Sequence, residues 1–264
     1  MRCEKIKKGI YFMKLGLQLF SLIDTMNKPD GLRKVLRYAA ECGYDGVEFA
    51  GFYGLSPDEI VEELKKNRLE TAGIHLGWDV MSWENLDKKP EEVLVVVKTL
   101  GAQSVTVASY GGKDAADWAQ FARKMNEHGK MFREHGVKLG YHNHSYEFNK
   151  FDGKYAIDII MENVEPENVF WELDPRHIRL IGIDPVVFAE KYTGRSPFMH
   201  VRDLESITED GKGIDTAVGK GMVDIPAVVK ASGHHDWLIV EEGPGPNVTE
   251  HVKESARYVR QNLM

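Results

Sequence analysis

The chain has 264 residues, 42% of them hydrophobic, so it is long enough to bury one large core or two smaller ones. Its formal net charge of −7 at pH 7 and its lack of a Lys/Arg-rich run argue against nucleic acid or an anionic membrane as partners, because both attract clustered positive charge. Cys3 and Cys42 are the only cysteines and form no C-x-x-C motif, so we expect a reducing, cytoplasmic location.

The N-terminal segment MRCEKIKKGIYFMKLGLQLF is basic and then apolar, as a signal peptide is. Lys14 interrupts its apolar stretch, however, and no small-residue cleavage site follows. We therefore expect no targeting signal, a first strand that starts at Lys14 or Leu15, and a short N-terminal extension over residues 1–12.

Eight short apolar runs, bounded by Gly, Pro, Asn or Asp, predict eight β-strands. Their near-continuous hydrophobicity is typical of parallel strands that are buried on both faces. In chain order the runs are LGLQLF, YDGVEFA, ETAGIHL, SVTVAS, KLGYHN, VFWELD, PFMHVRD and WLIVEE.

Helical segments separate these runs. In SPDEIVEELKKN, Ser56 predicts an N-cap, Pro57 suits the first turn, and Glu59 completes a capping box. The longest helical segment, DAADWAQFARKMNEHGKMFREHG, is expected to be irregular at Gly129 and to stop at Gly136. Eight alternations of strand and helix predict an α/β fold, a (β/α)8 TIM barrel in a single domain over residues 1–264, with a doubly wound open sheet as the alternative.

Four polar residues stand at the ends of the last four predicted strands: Glu147, Asp174, His200 and Glu241. The C-terminal ends of barrel strands converge on one mouth, so a single metal site would account for all four buried polar groups together. Carboxylate and imidazole ligands without thiolate suit one divalent ion, with Mn²⁺ preferred and Mg²⁺, Co²⁺, Fe²⁺ or Zn²⁺ as alternatives. Strand alternation favours Glu241 over Glu242 as the ligand, because Glu241 shares a face with Ile239.

Several segments together resemble the sugar phosphate isomerase/epimerase family, which has the xylose isomerase-like barrel and is related to ketose 3-epimerases and inosose dehydratases. The similarity covers nearly the whole chain and is most specific in HNHSYEF, HVRD and the G-x-G-x-x-D segment GKGMVD. It implies a metal-dependent isomerase or epimerase that acts on a sugar or keto-sugar. In related epimerases Glu, Asp, His and Glu from the fifth to eighth strand regions hold the metal, and the matching residues are the same four.

The resemblance also implies roles for individual residues. Glu147 and Glu241 would flank the sugar, one removing a proton next to the carbonyl and the other delivering one, through an enediolate. His177, three residues after Asp174, would contact sugar hydroxyls as the corresponding histidine does in related epimerases.

Other polar residues near strand ends are expected to line the substrate cup. They are Glu48, His75, His142, His144 and Arg202. The loop from Asp203 to Gly221 is polar and glycine-bearing, which suggests a lid or a contact with another subunit.

Three functions remain open after this reading. The first is epimerisation or isomerisation of a sugar, and the second is dehydration of a keto-polyol, which starts with the same proton removal. The third is a non-catalytic carbohydrate-binding barrel. A DNA-repair endonuclease on the same barrel is disfavoured by the acidic charge. A small sugar is the expected partner, and a homo-oligomer stays open because exposed barrel faces often associate.

Overall fold

The computed structural model describes residues 13–78 and 80–264, and it confirms the barrel. The predicted extension over residues 1–12 lies outside the described residues. Eight strands form the barrel, and all eight predicted runs contain one. They are β1 Lys14–Gln18, β2 Gly46–Phe49, β3 Glu70–Leu76, β4 Ser104–Val107, β5 Lys138–His142, β6 Val169–Glu172, β7 Phe198–Val201 and β8 Trp237–Val240.

Within the barrel, all paired strands are parallel, in the order β6-β5-β4-β3-β2-β1-β8-β7. At the remaining seam, between β6 and β7, two backbone hydrogen bonds bring the flanking chains together: Trp171 N–H donates to Arg195 O (2.8 Å) and His200 N–H donates to Leu173 O (3.1 Å). The sheet is therefore nearly closed, and the doubly wound alternative is excluded.

Helices follow the strands and cover the barrel. They are α1 Ile23–Met26, α2 Gly31–Glu41, α3 Pro57–Asn67, α4 Trp83–Lys88, α5 Pro90–Thr99, α6 Ala115–Glu134, α7 Ala156–Glu162, α8 Pro175–Leu180, α9 Pro185–Lys191, α10 Ile225–Ser232 and α11 Val248–Asn262. The capping box at Ser56 and Glu59 is present as predicted. No helix among the described residues is long and apolar enough to cross a membrane.

The segment after β7 differs from the predicted loop. It forms an antiparallel hairpin, Asp203–Ile207 with Gly213–Thr216. Buried Asp203 fixes the returning chain, because its carboxylate accepts hydrogen bonds from the backbone N–H groups of Leu204, Gly219, Gly221 and Val223. Residues on this hairpin consequently hold a defined position beside the barrel mouth.

The interior of the barrel is divided into an apolar layer and a polar layer. Ala72, Phe170, Phe198, Trp237 and Ile239 form a buried apolar cluster separate from the main core. Side chains two residues further along a strand share its face, so Glu172, His200 and Glu241 lie above Phe170, Phe198 and Ile239. The strands thus deliver a set of polar groups to the C-terminal mouth on top of a dry plug.

Gly129 does not interrupt helix α6, contrary to the prediction. The helix runs unbroken from Ala115 to Glu134, and a Cβ at position 129 would overlap the carbonyl oxygen of Asn168. The glycine therefore allows close packing of α6 against the start of β6 and is not a break in the helix.

We expect Gly129→Ala to destabilise the protein by roughly 1 to 3 kcal/mol through this overlap. The loss should exceed the gain of about 1 kcal/mol that alanine brings to a helix interior. Urea unfolding of the variant, beside Lys130→Ala on the exposed face of the same helix, measures the difference. A Gly129→Ala protein more stable than the wild type would show that α6 can move away from Asn168.

Candidate active site

A cavity of about 480 Å³ opens at the C-terminal mouth of the barrel. The only carboxylate among its described lining residues is Glu241, and its cation is Arg202. The polar lining also includes Gln18, Ser109 and four histidines: His75, His142, His144 and His177. Aromatic Phe20 and Trp78 supply apolar walls. The sequence-predicted substrate residues thus line one cup, with Glu48 as the exception.

Four side chains from the ends of β5 to β8 converge closely enough to hold one ion. One nitrogen or oxygen from each of His142, Asp174, His200 and Glu241 lies within 4.8 Å of the others, and all four residues are buried. Three of them also carry an atom without a hydrogen-bond partner, namely His142 Nδ1, Asp174 Oδ2 and His200 Nδ1. Buried polar atoms normally have partners, so these orphaned atoms fit a bound metal ion.

The chain positions Asp174 through its backbone and one of its oxygens. Asn143 Oδ1 accepts hydrogen bonds from Asp174 N (2.9 Å) and Trp171 Nε1 (2.9 Å), and Asn143 Nδ2 donates to Asp174 O (3.1 Å). Asp174 Oδ1 caps helix α8 by accepting from Arg176 N at 2.8 Å. The second oxygen is left free, while burial raises the pKa of Asp174 to about 6, partly offset by the charge of Arg202.

Glu147, a predicted ligand and catalytic residue, does not join this group. It lies on a 3-10 turn, Tyr146–Phe148, beyond the end of β5. Its Oε1 accepts from the Tyr141 hydroxyl (2.6 Å) and its Oε2 accepts from His144 N (2.8 Å), while burial raises its pKa to about 7. The structure brings His142, the last residue of β5, to the place expected for Glu147.

Arg202 balances the charge of the carboxylates at the mouth. Its Nη1 donates to Glu241 Oε1 at 2.8 Å and lies 3.8 Å from Asp174 Oδ2. Asp215 of the hairpin holds the same guanidinium, with 2.6 Å from Nη2 to Oδ2. Burial alone would raise the pKa of Glu241, but Arg202 and His200 outweigh burial and hold the pKa well below its usual range. Glu241 is therefore ionised at neutral pH.

Two buried carboxylates, Glu48 and Glu172, lie beneath the cup and contact His75 of its lining. Of these two carboxylates, only Glu48 belongs to the sequence-based set. His75 Nε2 is 2.6 Å from Glu172 Oε2 and 3.1 Å from Glu48 Oε2. Glu172 could have been found from sequence, because it precedes Asp174 by two residues and so shares its strand face. Burial lowers the pKa of His75 less than the charges of Glu48 and Glu172 raise it, and the net value is about 10.

His144 and His177 face the cavity as neutral imidazoles. Burial lowers the pKa of His144 to about 4, and burial with the nearby charge of Arg202 lowers the pKa of His177 well below its usual value. The two rings lie 4.8 Å apart, and His142 completes a three-histidine group. Neutral imidazoles carry a ring lone pair that can accept a hydrogen bond, and the low pKa values of His144 and His177 make both rings weak bases at physiological pH.

Glu241 and Glu242 face opposite sides, and of the two only Glu241 lines the cavity. Glu242 turns away from the cavity toward helix α11. There its carboxylate accepts a hydrogen bond from Ser255 Oγ at 2.7 Å. Its second oxygen is buried without a partner, and burial raises its pKa to about 8. Adjacent glutamates thus differ in charge at neutral pH because they face different surroundings.

The fold and its donor set define a TIM barrel with a candidate metal site at the C-terminal mouth. Residues 36–262 match the xylose isomerase-like TIM barrel family, and the chain belongs to that family. An inosose dehydratase of Mesomycoplasma hyopneumoniae (strain J / ATCC 25934 / NCTC 10110) is 26% identical, with 84% of this chain and 85% of that protein covered.

Solved structures show the same fold. A sugar phosphate isomerase/epimerase from Parabacteroides distasonis superposes with a TM-score of 0.78 at 22% identity, covering 98% of both chains. The IOLI protein with a binding zinc atom has a TM-score of 0.69 at 17% identity, covering 95% of this chain and 96% of that one. The family resemblance inferred from the sequence is confirmed.

We expect Glu242→Gln to remove part of the pH dependence of stability. The folded protein holds the Glu242 proton up to about pH 8, whereas the unfolded chain releases it near pH 4.5. Between these values the folded state binds more protons, so the contribution of Glu242 to stability falls as pH rises. Urea unfolding at pH 5, 6.5 and 8 should show Glu242→Gln gaining stability relative to wild type with rising pH.

Glu250→Gln, on the exposed surface of α11, controls for removal of one negative charge. A constant difference across the pH range would show that Glu242 is ionised in the fold.

Proposed function

We propose that this chain is a divalent-metal-dependent lyase that dehydrates a keto-polyol or keto-sugar, as the name inosose dehydratase describes for its curated relatives. The observation that carries the proposal is the lining of the cup, where Glu241 is the one carboxylate among the lining residues that the structure describes and stands beside four histidines. The sequence reading favoured epimerisation by two glutamates, but Glu147 is held by Tyr141 and His144 away from the candidate metal group.

The donor set suits a catalytic rather than a structural metal. Two imidazoles and two carboxylates, without thiolate, fit Mn²⁺, Fe²⁺, Co²⁺ or Zn²⁺, and we propose His142, Asp174, His200 and Glu241 as the ligands. When bound, such an ion would supply Lewis-acid polarisation of the substrate carbonyl, which acidifies the neighbouring C–H bond.

The histidines of the cup are the proposed proton-handling groups. Glu241 is engaged by Arg202 and His200, so its carboxylate is a weak base. His144 and His177 line the cup with neutral rings, and we propose them as acceptors of the proton released next to the carbonyl because of this position. Their lowered pKa values make them weak bases as well, so the C–H bond has to be acidified for the transfer to occur. Return of a proton to the departing β-hydroxyl releases water, and the pair of electrons from the broken C–H bond forms the new C=C bond.

Epimerisation remains the second candidate. It uses the same proton removal but returns the proton to the opposite face of the same carbon. The presence of both a carboxylate and imidazoles in one cup supports it, since groups on two sides of the substrate are then available. The products separate the two functions.

We expect about one equivalent of divalent metal in the purified protein. Asp174→Asn should lose the metal and keep the fold, because an asparagine oxygen can still cap helix α8. His142→Ala should also lose the metal, whereas Glu147→Gln should retain it. Mass spectrometry of metal content, with circular dichroism as the check on folding, tests this ligand set. Metal lost from Glu147→Gln and kept in His142→Ala would restore the set proposed from sequence, and metal-free wild type after Mn²⁺, Co²⁺ or Zn²⁺ addition would favour the non-catalytic barrel.

We expect the metal-loaded enzyme to remove water from an inosose. Proton NMR in deuterated buffer measures this reaction. His177→Gln should lower turnover by roughly 10² to 10⁴-fold while metal content stays constant. Exchange of the proton next to the carbonyl, with inversion and without loss of water, would establish epimerisation instead. Full turnover by His177→Gln would move the proton transfer to His144 or Glu241.

A further inference from the structure

Glu48 is placed beneath the cup and not on its surface. The residue lies in the C-terminal half of β2, and its side chain has no exposed surface. The sequence-based expectation that Glu48 lines the mouth gives it a substrate contact, yet a fully buried side chain reaches no substrate. Its carboxylate must act on neighbouring protein groups.

One of these neighbours is a proposed metal ligand. Glu48 Oε2 lies 2.8 Å from His200 Nε2, in hydrogen-bond geometry. The same oxygen accepts a hydrogen bond from the Gln18 amide at 2.7 Å, so we assign Oε2 as the acceptor and place the His200 proton on Nε2. The other ring nitrogen, Nδ1, is buried without a hydrogen-bond partner and lies 2.8 Å from Glu241 Oε2. The two nitrogens of His200 are therefore differentiated by Glu48.

Neighbouring strands fix the Glu48 carboxylate in this position. Gln18 is paired with Glu48 in the register of β1 and β2, and its Nε2 donates to Glu48 Oε2 at 2.7 Å. On the other side Gly73 is its register partner in β3, and a Cβ there would stand 2.7 Å from Glu48 Oε1. A glycine leaves room for the carboxylate, and a glutamine orients it.

We infer that Glu48 is a positioning residue that reserves His200 Nδ1 for the metal ion. This inference rests on the proposed metal site and deepens it. A carboxylate that accepts from the distal N–H of a metal-bound histidine orients the ring and increases its basicity.

Glu48→Gln is the informative substitution. Glu48 Oε2 now faces ring nitrogens of His75 and His200 and the amide nitrogen of Gln18. A glutamine offers one acceptor oxygen and adds an N–H₂ donor, which favours transfer of the His200 proton from Nε2 to Nδ1. Protonated Nδ1 cannot bind a metal. Glu242→Gln is the matched control, because it makes the same change at a buried glutamate that contacts Ser255.

The experiment is Zn²⁺ titration of the full chain against a chromophoric chelator, combined with ¹⁵N NMR of histidine-labelled protein. The His200 signals are assigned by their loss in His200→Gln. We expect Glu48→Gln to bind Zn²⁺ about 10 to 100-fold more weakly than wild type, with Glu242→Gln unchanged. In the zinc-loaded wild type, His200 should show a protonated Nε2 and a metal-bound Nδ1.

The outcomes separate this inference from the proposed function. Zinc binding to His200 through Nε2 in the wild type would overturn the role of Glu48 even if Glu48→Gln failed to fold. Wild-type affinity in Glu48→Gln would overturn it equally, while leaving the metal enzyme intact. A wild type that binds no Zn²⁺ would overturn the proposed metal site and this inference with it.

Discussion

The site depends on burying several charged groups side by side in a nearly water-free barrel interior. An isolated buried carboxylate is costly, and the cost falls only when opposite charge and hydrogen bonds surround it. Here Glu48 and Glu172 are set against His75 and His200, and Glu241 is set against Arg202. His75 and His200 lie between the carboxylates, so their rings offset part of the carboxylate charge.

Close backbone approach makes this packing of charges feasible. A Cβ at Gly73 would meet both Ser104 Oγ and the Glu48 carboxylate, and one at Gly243 would overlap the Asp215 carboxylate. Below the polar layer, Phe170, Phe198 and Trp237 fill the barrel and exclude water from the other end. The polar groups are consequently fixed from below by the apolar plug and from the sides by strands, which is the preorganisation that a metal site requires.

The barrel was predictable from the sequence because each parallel strand is a short apolar run with clear stops, and helices separate the runs. The convergence of Asp174, His200 and Glu241 was also predictable, since each lies at or near the C-terminal end of such a run. The position of Glu147 outside this group was not, because sequence does not show that β5 ends at His142 and that Glu147 lies on the next turn. Gln18 was missed for another reason. A polar residue inside an apolar run gives no sign of whether it faces the barrel axis or the helices until the strand register is known.

The hairpin after β7 links substrate recognition to the charge of the metal site. Asp215 accepts from Arg176 Nε (2.7 Å) and from Arg202 Nη2 (2.6 Å), and Arg202 in turn contacts Glu241. Arg202 also separates the cup from a neighbouring cavity of about 670 Å³ that the hairpin and the loop after β8 line. Barrel loops set the substrate in folds of this kind. Because one guanidinium contacts both the hairpin carboxylate and a proposed metal ligand, a change in the hairpin that releases Asp215 would alter the charge felt by Glu241. Arg202 is therefore the residue through which the hairpin contacts the candidate metal group.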